Sequence, residues 1–130
     1  MSYDKAALVQ YRLEKADRSI EEAHALAKIG HWDTVANRIY YACFYPITAY
    51  LAQQDVKAIT HKGIKAAFHQ ELIKTELMSQ ELGKFYTDLF NKRQEADYQD
   101  FVELTQSTIE PLIPETALFI EKIKELIAQA

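Results

Sequence analysis

The sequence predicts an all-α protein, an antiparallel four- to five-helix bundle forming a single domain over residues 1–130. Three observations predict it. Apolar residues recur at steps of three and four, and no stretch alternates with period two between turn residues. Glycine and proline number three each, so turns are few and helices long. Hydrophobic residues make up 48% and charged residues 26% of the 130 positions; that mixture fills one core without disulfides and leaves little room for a second domain.

The elements follow in order. Val9, Leu13, Ala16, Ile20, Ala23 and Ala27 form one apolar stripe on a first helix of about 4–29, which Gly30 closes at a left-handed cap position. A second helix of about 32–54, with Asp33 as expected N-cap, is apolar nearly all round from Val35 to Ile47. Such a helix belongs at the centre of the bundle or against a second subunit. Pro46 inside it predicts a kink or a division into two shorter helices. Thr60 is the expected N-cap of a third helix of about 61–74, buried through Ile64, Ala67 and Phe68. Ser79 caps a fourth, with Leu82, Phe85, Tyr86, Leu89 and Phe90 on its inner side. The pattern breaks at 96–101. A last helix carries Leu112, Phe119, Ile123 and Leu126, and Pro111 and Pro114 blur its start. No internal repeat recurs. The phrase Ala27–Asp33 resembles a tetratricopeptide turn, but nothing follows it at a spacing of about 34 residues, so a repeat adaptor ranks last.

Charge and composition exclude several classes. The net charge is -4, which argues against a general nucleic-acid-coating role. A local pocket is still compatible, since one or two arginines hold a phosphate on an acidic protein. Met1–Lys15 alternates charge and builds no apolar leader segment. No run approaches the roughly 18 apolar residues of a membrane span, so a cytoplasmic protein is expected. The lone Cys43 has no internal partner and sits in an apolar run, as a small core residue would.

Two arginines stand out. Arg38 occupies the middle of the most apolar helix, where a guanidinium must be paired. Glu14, Glu95 or Asp97 is the expected structural partner; the competing reading is an anion pocket at an interface, shared with Tyr41. Arg93 continues the apolar line of positions 82, 86 and 89, so it points to a core edge or a subunit interface. On a regular helix Arg93 and Tyr98 lie about 140° apart. They converge only if the helix unwinds after Arg93 or a second subunit supplies one of them. His61, in the first turn of the third helix, sits where the positive helix end welcomes an anion. His24, His31, His61 and His69 show no spacing of a helical metal site, so neither zinc nor any other cofactor is expected. The eight tyrosines read as core and interface residues.

Four segments taken in order resemble the HEPN family: Gly30-His31-Trp32-Asp33; Asn37-Arg38-Ile39-Tyr40-Tyr41-Ala42-Cys43-Phe44; Thr60-His61-Lys62-Gly63; and Arg93-Gln94-Glu95-Ala96-Asp97-Tyr98-Gln99-Asp100-Phe101. The resemblance implies a helical bundle that dimerises and acts with a minimal nucleotidyltransferase as toxin and antitoxin. It also implies a metal-independent ribonuclease whose cleft forms across the dimer from an arginine and, after four to six intervening residues, a histidine. The arginine maps onto Arg93, whereas the histidine position holds Tyr98, and Gln94 replaces the Asn or Asp often found after the arginine. A phenol of ordinary pKa about 10 is a poor base at neutral pH. The tyrosine that a partner enzyme modifies with AMP in some members falls on Asp100. Two readings therefore stand: a ribonuclease using Arg93 and Tyr98, with Arg38, Tyr41, His61 and Asp97 around the cleft; or a non-catalytic protein that binds a nucleotide or a nucleotidyltransferase.

Overall fold

Helix α1 (Lys5–Lys28) starts at Asp4, whose carboxylate accepts from the Ala7 N–H at 3.0 Å. It buries Val9, Ala16 and Ala23 of the expected stripe, together with Ser19. Gly30 adopts φ 75°, and the chain reverses there into α2 (Trp32–Gln53), antiparallel to α1. Lys5 near the start of α1 pairs with Asp55 just beyond α2 at 2.8 Å, and Arg12 donates to the Thr48 carbonyl at 3.0 Å. The computed structural model describes residues 4–98 and 104–130; Gln99, Asp100 and Phe101 of the motif segment lie outside the described residues.

Helix α2 is the centre of the molecule, packing against α1, α4 and α6, as its all-round apolar character requires. One local expectation is corrected and one alternative is removed. Asp33 does not cap the helix: His31 is the N-cap residue without a side-chain bond, and the Asp33 carboxylate instead accepts from the Leu104 N–H at 3.0 Å. Pro46 does not divide the helix, which continues to Gln53; packing on three sides outweighs one lost backbone bond. Cys43 is fully buried, and burial pushes its thiol well above the ordinary range although Thr116 hydrogen-bonds it. The native protein is expected to resist a thiol-specific reagent and to react fully once unfolded. Rapid labelling of the folded chain would show that α2 opens locally.

Helix α3 (His61–Phe68) begins where expected, with Thr60 Oγ1 accepting from the Gly63 N–H at 2.9 Å. It passes into a π-helical turn, His69–Ile73. Helix α4 (Gln80–Tyr98) is capped by Ser79 Oγ on the Leu82 N–H at 3.1 Å. The pattern break expected over 96–101 does not end the helix within the described residues: α4 continues through Asp97 to Tyr98. Gly83 allows α4 to pass close to the π turn, since a Cβ there would stand 3.1 Å from Ile73 and 3.2 Å from His69. The short α5 (Gln106–Ile109) precedes α6 (Leu112–Gln129). Pro111 and Pro114 fall at and just inside the start of α6, where backbone N–H groups have no intrahelical acceptor to lose. Gln53 donates to the Ile127 carbonyl at 2.9 Å, tying the C-terminal ends of α2 and α6 together. Among the described residues all regular structure is helical.

Replacing Thr60 by alanine removes the α3 cap and is expected to cost about 1 kcal/mol. Denaturant titration measures it; an unchanged midpoint would mean that the side-chain bond to Gly63 contributes nothing to the folded state.

Candidate functional site

The packing of α3 and α4 against the middle of α2 builds one polar cluster inside an aromatic frame. Tyr40, a little over two helical turns into α2, is its hub. Its ring stacks on Tyr86 with centroids 5.6 Å apart and meets Tyr41, Phe44, Phe90 and His61 within 6.1 Å. The Tyr86 hydroxyl donates to the Tyr40 hydroxyl at 3.2 Å, and Tyr40 Oη lies 2.9 Å from His61 Nδ1. His61 is stacked on Phe44 at 4.7 Å and meets Tyr41 edge-on at 5.8 Å. Sequence reasoning treats Tyr40 and Tyr86 as core residues, which they are; that their hydroxyls pair depends on α2–α4 register, which no local pattern encodes.

Arg93 arrives from α4, with its guanidinium 4.8 Å from the Tyr40 ring centroid. It is only 8% exposed. Nη1 reaches Asp97 Oδ2 at 3.3 Å, one turn further along the same helix. Nε is buried without a hydrogen-bond partner. Buried guanidinium nitrogens are normally satisfied, so this atom marks a site with an unmet preference for an acceptor. The ring face and one carboxylate offset part of the desolvation of Arg93 and leave its remaining donors free.

Arg38 lies one step outward, its guanidinium 5.9 Å from the Tyr41 ring. Its partners differ from the expected ones: Nε and Nη2 donate to Asn37 Oδ1 at 3.1 and 2.6 Å, and Nη1 stands 3.7 Å from Glu22. Glu14, Glu95 and Asp97 are not its partners, because α1 presents Glu22 to this point of α2. Contacts thus run from Arg38 through Tyr41 to His61, from His61 to Tyr40, and from Tyr40 to Arg93 and Asp97. The structure brings together five of the six residues singled out from sequence.

Tyr98 is the exception. It is 77% exposed and borders a shallow hollow with Asn91, Gln94 and Glu95. Because α4 stays helical from Arg93 to Tyr98, the two side chains diverge around the helix, and within one chain they do not converge.

A groove of about 680 Å³ lies beyond Phe44, between α1, α2 and the segment leading to α3. Rings of Tyr11, Phe44 and Tyr45 line it with the cations Arg12, Lys15 and Lys57, and none of its lining residues is acidic. Lys15 Nζ sits over both tyrosine rings, 5.3 and 4.9 Å from their centroids. Among the described residues no three His, Cys, Asp or Glu side chains converge as a metal site would need.

Two imidazoles titrate below the ordinary histidine value. Burial lowers both, aided by the Arg93 charge at His61 and the Lys65 charge at His69. The folded chain therefore binds fewer protons than the unfolded chain once the pH drops below about 6.5, and stability is lost as pH falls through that region. The melting temperature is expected to decline between about pH 7 and pH 5, with His61→Gln/His69→Gln flattening the decline. An equal slope in that variant would assign the acid sensitivity to other groups.

Comparison with known proteins agrees with this architecture. The family profile described as HEPN domain matches residues 9–126. A UPF0332 protein of Thermotoga maritima is 33% identical over 124 residues, 95% of this chain and 94% of the relative. A protein of Methanocaldococcus jannaschii whose name designates it a candidate toxin is 31% identical over 115 residues, 88% of this chain and 78% of that one. A further UPF0332 protein, from Gloeobacter violaceus, is 27% identical over 118 residues, covering 90% of this chain and 94% of the relative. Among the described residues no helix is long and apolar enough to cross a membrane. With a matching profile over nearly its whole length and a helical fold to correspond, the chain belongs to the HEPN domain family.

Proposed function

We propose that this chain is the toxin component of a toxin–antitoxin pair, a metal-independent ribonuclease that works as a homodimer and is controlled in the cytoplasm by a minimal nucleotidyltransferase. The observation that carries this reading is Arg93: a buried guanidinium with an orphaned Nε and a single, partly exposed carboxylate partner. That is how a clamp for a phosphodiester is held ready, with its charge desolvated so that it acts strongly when an anion arrives. The cation- and aromatic-lined groove beyond Phe44 suits the neighbouring nucleotides, because rings stack on bases and lysines follow the backbone. Tyr98, exposed and on the outer face of α4, is the proton-transfer group that a second copy would bring to Arg93. The resemblance to a protein named as a candidate toxin agrees with this assignment.

The test is cleavage of a labelled pool of transfer and messenger RNA by purified protein in EDTA. Wild type is expected to cleave, and Arg93→Ala to lose at least about a hundredfold in rate. Equal cleavage by both proteins would remove Arg93 from the site.

One observation favours a second reading. Tyr98 does not meet Arg93 within a chain, and no histidine follows Arg93 on α4. The same phosphate site would then serve a non-catalytic protein that binds a nucleotide or its nucleotidyltransferase. Absence of cleavage together with co-purification of a nucleotidyltransferase, or saturable nucleotide binding, would establish that reading instead.

A further inference from the structure

The cluster contains a second donor that the Arg93–Tyr98 assignment leaves unused. Helix α3 places His61 beside Tyr40, and three facts bear on its protonation. Tyr86 donates its hydroxyl proton to Tyr40. Tyr40 still has its own proton to give, and the nitrogen in reach, His61 Nδ1 at 2.9 Å, accepts it in the tautomer that carries the ring proton on Nε2. A neutral imidazole that accepts at Nδ1 carries its proton on Nε2. Burial and the neighbouring Arg93 keep the ring neutral at physiological pH, and stacking on Phe44 holds its plane.

In that tautomer the ring's far edge is an N–H donor. Among the described residues Nε2 has no hydrogen-bond partner, yet it is not among the buried unsatisfied atoms, of which Arg93 Nε is the one found. Solvent, and hence a ligand, reaches it. Arg93 and His61 both lie against one ring, with the guanidinium 4.8 Å and the imidazole 5.8 Å from the Tyr40 centroid.

We infer that His61 Nε2–H is the second phosphate-binding donor of the Arg93 site, oriented by a Tyr86–Tyr40–His61 hydroxyl relay, so that a single chain carries both groups that hold the anion. In this arrangement His61 binds and does not take up a proton, because its accepting nitrogen is already occupied by Tyr40. Tyr40 and Tyr86 are positioning residues. The identification of the anion as an RNA phosphodiester rests on the function proposed above; the two-donor site itself requires only a phosphate oxygen.

The experiment uses the full chain labelled with ¹⁵N, with long-range proton–nitrogen correlation of the His61 ring and inorganic phosphate, then a single-stranded RNA, as probes. The expected ring is the Nε2–H tautomer, with His61 Nε2 and the Arg93 guanidinium resonances shifting together as phosphate is added. Tyr40→Phe is expected to give a mixture of tautomers. His61→Gln, whose side-chain amide places an N–H near the Nε2 position, is expected to keep anion affinity within about threefold, whereas His61→Ala loses about tenfold or more. An Nδ1–H tautomer in wild type, or unchanged phosphate affinity in His61→Ala, would overturn the inference. So would the absence of any phosphate response at His61.

Two further arms separate this inference from its neighbours. Chains bearing His61→Ala and Arg93→Ala, mixed after unfolding and refolding, are expected to recover no RNA binding, because every chain then lacks one donor. Recovery would show that the donors come from different subunits and would overturn the single-chain site. A responsive His61 with no RNA cleavage removes the ribonuclease reading and leaves the two-donor site intact. Cleavage with an unresponsive His61 does the reverse.

Discussion

Arg93→Met is expected to abolish RNA cleavage, by at least about a hundredfold, while leaving the folded protein as stable as wild type or more so. The two halves of this expectation have separate causes. Function is lost because methionine has no donor for a phosphate oxygen. Stability is kept because the guanidinium is a buried charge with little return: it is 8% exposed, its Nε is unsatisfied, and its carboxylate partner Asp97 lies 3.3 Å away with 39% of its side chain exposed. A half-solvated pair separated by that distance contributes little, whereas an unbranched apolar chain of similar length retains the contact with the Tyr40 face. A gain of up to about 2 kcal/mol is consistent with replacing such a charge by an apolar side chain. The melting temperature by calorimetry and the cleavage rate in EDTA check the two halves independently. A melting temperature several degrees below wild type would identify Arg93 as a structural residue whose loss acts on activity through folding.

The largest loss of stability is expected from Phe119→Ala, about 3–5 kcal/mol. Phe119 is fully buried on α6. Its ring lies 5.7 Å from Phe68, 6.1 Å from Phe85 and 6.0 Å from Tyr86, so it joins α6 to the aromatic centre contributed by α3 and α4. Truncation leaves a cavity among rings that rotate poorly to fill it. For a domain of this size the melting temperature is expected to drop by roughly 10–20 °C. The stacked contact with Tyr86 also carries the effect to the relay, so phosphate affinity at a temperature where the variant is folded is expected to weaken. Leu118→Ala next to it is the control, since Leu118 is 69% exposed and should shift stability by no more than about 0.5 kcal/mol. A loss below about 1 kcal/mol for Phe119→Ala would mean that the core around α6 repacks freely.

Much of the architecture is legible in local pattern. The stripe on α1, the turn at Gly30, the caps Thr60 and Ser79 and the inner line of α4 were all readable because each is written in residues a few positions apart. The expectation that fails at Asp33 depends on what lies across from it. Asp33 has the right chemistry for a cap, yet its carboxylate finds the Leu104 N–H, 71 positions away in sequence. The polar run at Ala96–Tyr98 weakens the apolar pattern without supplying a breaker, and the helix continues.

By itself the sequence determined the helical class, the central place of the second helix and the identity of Arg93 as an inward-facing cation, because periodicity and one misplaced charge suffice for those. It also showed that position 98 holds a phenol where the family resemblance calls for an imidazole. Only the tertiary structure decided that Arg38 pairs with Glu22, that Tyr98 faces outward, and that His61 and Arg93 both lie against the ring of Tyr40. Those relations join residues tens of positions apart through the crossing of α2, α3 and α4, and their energies come from packing and desolvation, which exist only once the helices have met.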